Sequence, residues 1–200
     1  MFITFEGIDG SGKSTQIELL RNKLDEAGHK AEVFREPGGV PLSEAIRSIL
    51  LDPEQEIDPV TELLLFSAAR SQLLSEKVIP LLDKGAVVIL DRFYDSTTAY
   101  QGYGRNSLPL NQIMELNRVA SHQRQPDLTF YLRIGLEEAK KRTASARKDR
   151  MEQSGDRFYR KVIAGFDKLA ATENRFVTLD AILPPEEIHR RVWNQVSGRL

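Results

Sequence analysis

Cysteine is absent from this chain of 200 residues, which excludes a disulfide framework, thiolate catalysis and sulfur-ligated metal clusters. Such a chain fits a reducing compartment. Histidine is scarce as well: His29, His122 and His189 stand far apart with no second ligand at metal spacing, so each is expected at the surface or half buried. Nor is there an excess of positive charge. The 28 Lys and Arg against 29 Asp and Glu leave a net charge of −1, whereas a nucleic-acid binder needs a basic surplus to meet phosphates; no nucleic-acid partner is expected. Long apolar runs are missing. Stretches such as residues 86–90 fall far short of the ~20 residues that span a bilayer. Residues 1–6 show no basic segment leading into a long apolar stretch, so the expectation is a soluble cytoplasmic protein without a membrane partner.

What is present is globular in kind: 40% hydrophobic and 28% charged residues, with no internal repeat and no low-complexity linker. At roughly 150 residues per domain, the length predicts a single domain over residues 1–200. Short β-rich apolar runs alternate with longer helical stretches, the pattern of parallel βαβ units in an α/β fold, with a parallel sheet flanked by helices on both faces. Five strands are expected near residues 2–5, 31–35, 86–90, 128–134 and 176–179. Helices are expected near 13–27, 41–51, 59–82, 109–121, 136–144, 158–172 and 185–196. Gly28, Gly85 and Gly135 sit at helix ends or just beyond, where glycine tolerates positive φ. Residues 140–150 carry Lys140, Lys141, Arg142, Arg147, Lys148 and Arg150 against the single acid Asp149. So basic and weakly apolar a stretch is a poor core element and is expected to act as a movable flap.

Gly7-Ile8-Asp9-Gly10-Ser11-Gly12-Lys13-Ser14 matches G-x-x-x-x-G-K-[ST] between an expected strand and an expected helix. Glycines let successive backbone N–H groups turn inward around phosphates, and the helix N-terminus adds positive potential. Lys13 then reaches the outer phosphates and the Ser14 hydroxyl suits Mg²⁺. Asn22-Lys23-Leu24-Asp25 fits the guanine-reading N-K-x-D of GTPases, but it falls inside the helix after the loop, too early in the chain to meet a base. Arg35-Glu36-Pro37-Gly38-Gly39 follows the second strand, at the sheet edge where ligands bind in open parallel sheets; a Pro-Gly turn with a solvated arginine is the competing reading. The third strand runs into Asp91-Arg92. A carboxylate there suits Mg²⁺ and the adjoining guanidinium suits a transferred phosphoryl group, against the alternative of a surface salt bridge.

Together with Phe66-Ser67-Ala68-Ala69-Arg70, Ser96-Thr97-Thr98-Ala99-Tyr100-Gln101-Gly102-Tyr103-Gly104-Arg105 and Pro126-Asp127-Leu128-Thr129, these segments resemble the thymidylate kinase family, in order and over nearly the whole chain. The resemblance implies a single P-loop kinase domain with a lid at about 142–155. It also implies ATP as phosphoryl donor, Mg²⁺, dTMP as acceptor on the way to dTTP, and a homodimer. By the same resemblance, Gly7 through Thr15 hold the donor's phosphates and Arg142 packs on adenine. Arg35 and Arg92 hold the acceptor's 5′-phosphate, and Asp9 reaches its 3′-hydroxyl. Phe66 stacks on thymine and Arg70 meets its carbonyl edge, while Ser96, Thr97 and Gln101 contact the base and Tyr100 disfavours a ribose. The i, i+4 spacing does put Phe66 and Arg70 on one helical face, although Phe66 after Leu63-Leu64-Leu65 also reads as core.

Two departures stand out. Gly10 replaces an arginine found in the loop of some relatives, and members of this glycine type carry the catalytic arginine in the lid: Arg147 first, Arg150 second, the latter within the D-R-x-E-like Asp149-Arg150-Met151-Glu152. Arg133 stands where many relatives have aspartate. The implied catalytic set is Lys13, Asp91, Arg92 and a lid arginine, with Ser14 and Asp91 at the metal. A phosphate monoester, with a second pKa of about 6, is largely ionised at neutral pH, so alignment and charge cancellation rather than a general base are expected to carry the transfer. The rivals are a kinase for another pyrimidine nucleotide or nucleoside, a P-loop ATPase without an acceptor, and a non-catalytic nucleotide-binding module.

Overall fold

The run Phe2-Ile3-Thr4-Phe5-Glu6 has no solvent-facing side, because all five residues are buried. In the computed structural model, which describes residues 1–144 and 149–200, this run is β1 (Phe2–Glu6), the centre of a five-stranded, all-parallel sheet. With β2 (Ala31–Arg35), β3 (Val87–Asp91), β4 (Leu128–Arg133) and β5 (Phe176–Asp180), the strand order is β2-β3-β1-β4-β5. Strands covered on both faces need near-continuous apolar sequence. Accordingly, Ile3, Phe5, Val87 and Ile89 join Leu20, Leu24 and Val192 in one apolar cluster, while Phe2, Val88 and Leu90 join Leu73, Leu74 and Val78 in another. Each such side chain contributes about 1.5–3 kcal/mol on burial. The polar Thr4 is accommodated between them by a 2.8 Å hydroxyl pair with Thr129.

Around the sheet lie α1 (Lys13–Glu26), α2 (Pro41–Leu51), α3 (Pro59–Leu73), α4 (Ile79–Asp83), α5 (Tyr94–Thr97), α6 (Leu110–Ala120), α7 (Leu136–Arg142), α8 (Asp156–Thr172) and α9 (Pro185–Ser197). Local sequence sets several of their starts. Asp58 Oδ1 accepts from the N–H groups of Val60 and Thr61 at 2.9 and 3.2 Å, and Pro59, with no N–H to satisfy, opens α3. Among the described residues, no helix is long and apolar enough to cross a membrane.

Two expectations are corrected and one is refined. The helix expected over 59–82 is present as one continuous run, in which α3, a π-helical turn (Leu74–Val78) and α4 follow in succession. Pro80 lacks an N–H and its ring crowds the carbonyl one turn back, and the widened turn relieves both. Residues 94–104, for which no helix was expected, form α5 and a π-helical turn (Thr98–Gly104). Gly135 is not in positive φ; at −73° it precedes α7, whereas Gly28 and Gly85 do follow helices at +81° and +78°.

The topology creates the crevice. From β1 the chain crosses to β2 at one edge, whereas from β3 it crosses to β4 on the other side of β1. Ligands bind outside the carboxyl ends of neighbouring strands whose connections diverge in this way. Those ends are Glu6 and Asp91, tied together where Arg92 N–H donates to the Phe5 carbonyl at 2.9 Å.

Candidate active site

Between β1 and α1 the backbone turns through three glycines in positive φ, Gly7, Gly10 and Gly12. Two of them are also sterically required. A Cβ on Gly7 would lie 2.7 Å from the Leu132 carbonyl oxygen, and one on Gly10 would lie 2.8 Å from that of Ala139 on α7. Lys13 Nζ donates back to the carbonyls of Gly7 and Ile8 at 2.9 and 3.2 Å. Burial, followed by the Arg92 guanidinium, lowers the pKa of this ammonium. The loop walls a cavity of about 710 Å³ whose other sides carry Arg35, Arg47, Asp91, Arg92 and Arg142, together with residues 181–185 after β5.

Arg92 lines this cavity with φ at +70°, a left-handed conformation that costs a non-glycine residue energy and clusters at functional sites. Its Nη2 donates to Asp9 Oδ1 at 2.7 Å and its Nη1 to the Gly7 carbonyl at 2.9 Å. Burial pushes the Asp9 carboxyl up, but Arg92 and Lys13 outweigh it and hold the pKa at about 2. Beside them, Asp91 Oδ1 is buried without a hydrogen-bond partner and faces the same cavity as the exposed Ser14. An unpartnered carboxylate oxygen and a hydroxyl are hard oxygen donors, a set that fits Mg²⁺.

A second pocket adjoins the first and shares Asp9, Glu36, Arg47 and Arg92 with it. Its other walls include Phe66, Arg70, Thr97, Tyr100 and Gln101. Arg70 is only 1% exposed, and its guanidinium is oriented by three acceptors: Glu36 at 2.7 Å, Thr97 Oγ1 at 2.7 Å and Asn117 Oδ1 at 3.3 Å. Burial pushes Glu36 up to about 7 against the pull of Arg70, and its Oε1 has no partner. The Tyr100 hydroxyl is likewise buried and unpartnered, under a guanidinium 5.2 Å from its ring. Two cavities thus meet across two carboxylates and two arginines, one beside a phosphate-binding loop and the other lined by aromatics, a guanidinium and an amide.

The family model described as Thymidylate kinase matches residues 5–192 of the chain. The chain belongs to the thymidylate kinase family. Relatives named Thymidylate kinase include those of Chlorobaculum parvum, 48% identical over 99% of this chain and 96% of the relative, and Chlorobium luteolum, 50% identical over 100% and 98%. A third, from Prosthecochloris aestuarii, is 47% identical over 100% and 94%.

Most residues carried over from the family pattern converge on these two cavities. Asp9 to Thr15, Arg35, Asp91, Arg92 and Arg142 line the larger one, and Arg142 Nη1 donates to the Gly10 carbonyl at 3.4 Å. Gly7 and Ile8 act through their carbonyls on Lys13. Phe66, Arg70, Arg92, Ser96, Thr97, Tyr100 and Gln101 line the smaller one. Arg35 is a partial exception: exposed and paired with Glu44 at 3.1 Å, it reaches the rim of the larger cavity only. Arg150 does not join the phosphate loop. Its Nη1 lies 2.7 Å from Glu62 and its Nε donates to the Leu50 carbonyl. Arg147 lies outside the described residues. The Asp149–Glu152 segment closes as a reciprocal cap, each side chain accepting from the other's N–H at 2.9 and 3.2 Å. Arg133, the other departure, makes a two-pronged pair with Asp167.

Sequence reasoning missed Arg47 and Glu62, and it gave no role to Glu36 although that residue stands within the Arg35–Gly39 motif. Arg47 borders both cavities and donates to the Pro37 carbonyl at 2.9 Å. Its only advance signal was a cation on the helix after Gly38-Gly39. Glu62 carried a clearer one: it precedes Phe66 by four residues and so shares its helical face.

Proposed function

We propose that the protein transfers the γ-phosphoryl group of ATP to the 5′-phosphate of dTMP, giving ADP and dTDP, in the cytoplasm. One observation carries this reading: the phosphate-loop cavity and the aromatic pocket share Asp9, Glu36, Arg47 and Arg92, the place where a donor and an acceptor phosphate would meet. Guanidiniums bind phosphate as planar forks and cancel the charge spread over the transferred group. Two of them at the junction favour an acceptor that already carries a phosphate over a free nucleoside.

Lys13 would meet the outer donor phosphates, and residues 181–185 with Arg142 would enclose the adenosine end. Ser14 and Asp91 would hold Mg²⁺, which supplies charge neutralisation at the donor phosphates when bound. Arg92 and Arg47, with Arg35 at the rim, would fix the acceptor phosphate in line with the donor. Phe66 and Arg70 would take the base, helped by Gln101, Thr97 and Ser96, with Tyr100 beneath the sugar. Arg147 would complete the charge cancellation from the lid at about 142–155, which closes over polyphosphate and excludes water. Arg150, already committed to Glu62, leaves that role to Arg147.

ADP release measured with dTMP, dUMP, UMP, CMP and thymidine tests the reading. Turnover fastest with dTMP is expected; ADP release that needs no acceptor would indicate an ATPase instead. A homodimer is part of the proposal. Leu42 and Ile49 on α2 and Leu64 on α3 are about half exposed on two helices joined by the Ser43 hydroxyl donating to the Ala69 carbonyl, an apolar face suited to a second copy. Sedimentation at micromolar concentration should give twice the chain mass.

A further inference from the structure

Glu62 lies one turn before Phe66 and two before Arg70 on α3 and is 1% exposed. Its carboxylate gathers three side chains. Oε1 accepts from Gln101 Nε2 at 2.9 Å and from Arg105 Nε at 3.3 Å, and Oε2 lies 2.7 Å from Arg150 Nη1. Because both oxygens already face guanidinium donors, Glu62 offers Gln101 an acceptor and nothing else. The Gln101 amide can answer only with its NH₂. Its Oε1 is then the atom left to serve the pocket that Gln101 lines. Arg70 lines the same pocket and carries donors only, and Glu36 fixes it by the same device, accepting from its Nε at 2.7 Å.

We propose that Glu62 is a positioning residue for base selection, locking Gln101 so that an acceptor, alongside the donors of Arg70, faces the base. This rests on the reading of the pocket as the dTMP site. An acceptor beside a donor matches a pyrimidine with N3–H and a C4 carbonyl, as in thymine and uracil. Cytosine reverses both groups, with an N3 acceptor and a C4 amino donor. Sites that leave buried polar groups unmet discriminate far more strongly than sites that differ only in shape.

The test compares kcat and KM for dTMP and dCMP in the wild type, Glu62→Gln, Glu62→Asp, Gln101→Ala and the double variant Glu62→Gln/Gln101→Ala. In Glu62→Gln the two arginines claim the one remaining oxygen, the new NH₂ faces Gln101, and that amide turns over. KM for dTMP should rise with kcat largely kept, and the dTMP-over-dCMP ratio of kcat/KM should fall roughly tenfold or more. Glu62→Asp, still an acceptor only, should keep the ratio near the wild-type value even where thermal stability drops. With Gln101 already Ala, Glu62→Gln should move the ratio no further, since coupled residues are not additive. A purely structural role would lower stability and leave the ratio alone. An unchanged ratio in Glu62→Gln overturns the proposal, as does a full further loss in the double variant. If Glu62→Gln does not fold, loss of the ratio in folded Glu62→Asp overturns it equally. A wild-type protein inactive on dTMP would instead reject the kinase reading itself.

Discussion

A carboxylate inside a phosphate-binding loop works against its ligand, since both carry negative charge. Asp9 is tolerated because its partner is already in place: Arg92 grips it at 2.7 Å, and this pair helps to hold the guanidinium at the junction of the two cavities. Phe66 shows a related double duty. It is half buried, packs against two apolar clusters and lines the base pocket, so core and ligand readings of this residue are both correct. Phe66→Leu should therefore keep most of the stability while losing the stack, worth about 1–3 kcal/mol per base, and KM for dTMP should rise roughly 5- to 100-fold. An unchanged KM in a folded Leu variant would remove Phe66 from base binding. Arg147→Ala should cut kcat, by roughly 100-fold or more for a lost transition-state donor, while dTMP affinity stays nearly constant. Equal losses in both would reject its role at the lid. What the sequence made legible at this scale were residues bound into motifs, such as Gly7 to Ser14 or Asp91-Arg92, because backbone geometry ties their spacing to their chemistry. Glu36 and Glu62 were harder to read for the opposite reason: each gains its meaning from a partner far along the chain, Arg70 at 34 residues and Gln101 at 39, while Arg47 belongs to no motif.

The strands were readable because burial on both faces leaves an apolar signature that survives in isolation. Residues 94–104 had no such signature. Their threonines, tyrosines and glycines disfavour helix, and packing decides the outcome. The π-helical turn and α8 interlock through glycines: a Cβ on Gly104 would lie 2.5 Å from Phe158 Cε2, and one on Gly165 would lie 2.6 Å from Tyr103 Cδ2. Each segment thus receives an aromatic ring of the other where it has no side chain. That contact matters to the site, because Ser96, Thr97, Tyr100 and Gln101 are all presented by this helical stretch. Helix propensity alone predicts that Gly104→Ala gains up to ~1 kcal/mol. Overpacking against Phe158 and Val162 should win instead, with a loss of about 1–3 kcal/mol in denaturant unfolding. A stabilised variant would show that the interlock has slack.

For the molecule as a whole, the net charge of −1 conceals how charge is distributed. Of the 28 basic residues 18 are arginine, and Arg35, Arg47, Arg92 and Arg142 border a single cavity. Acids are buried beneath it in turn. Glu6 at the end of β1 is 0% exposed, accepting from Phe93 N–H at 2.8 Å and from the Ser96 hydroxyl at 2.6 Å. Burial first, and Asp95 second, push its pKa from 4.5 up to about 8. Glu36 follows the same direction, to about 7. In the unfolded chain both lose their protons near the ordinary value, so between about pH 4.5 and 8 the folded state holds protons that the unfolded state has released. Stability from this source is full below pH 4.5 and declines as pH rises through that window, where every tenfold difference in proton affinity between the folded and unfolded states is worth about 1.4 kcal/mol. Asp9 acts in the opposite sense, but only as pH falls from 3.8 toward 2, outside the window. Unfolding free energy should therefore fall from pH 5 to pH 8, and Glu6→Gln, which cannot titrate, should flatten that slope while remaining less sensitive to alkali than the wild type. An identical slope in the two proteins would mean that Glu6 is ionised in the folded state throughout, its charge balanced by Arg92 rather than by a proton.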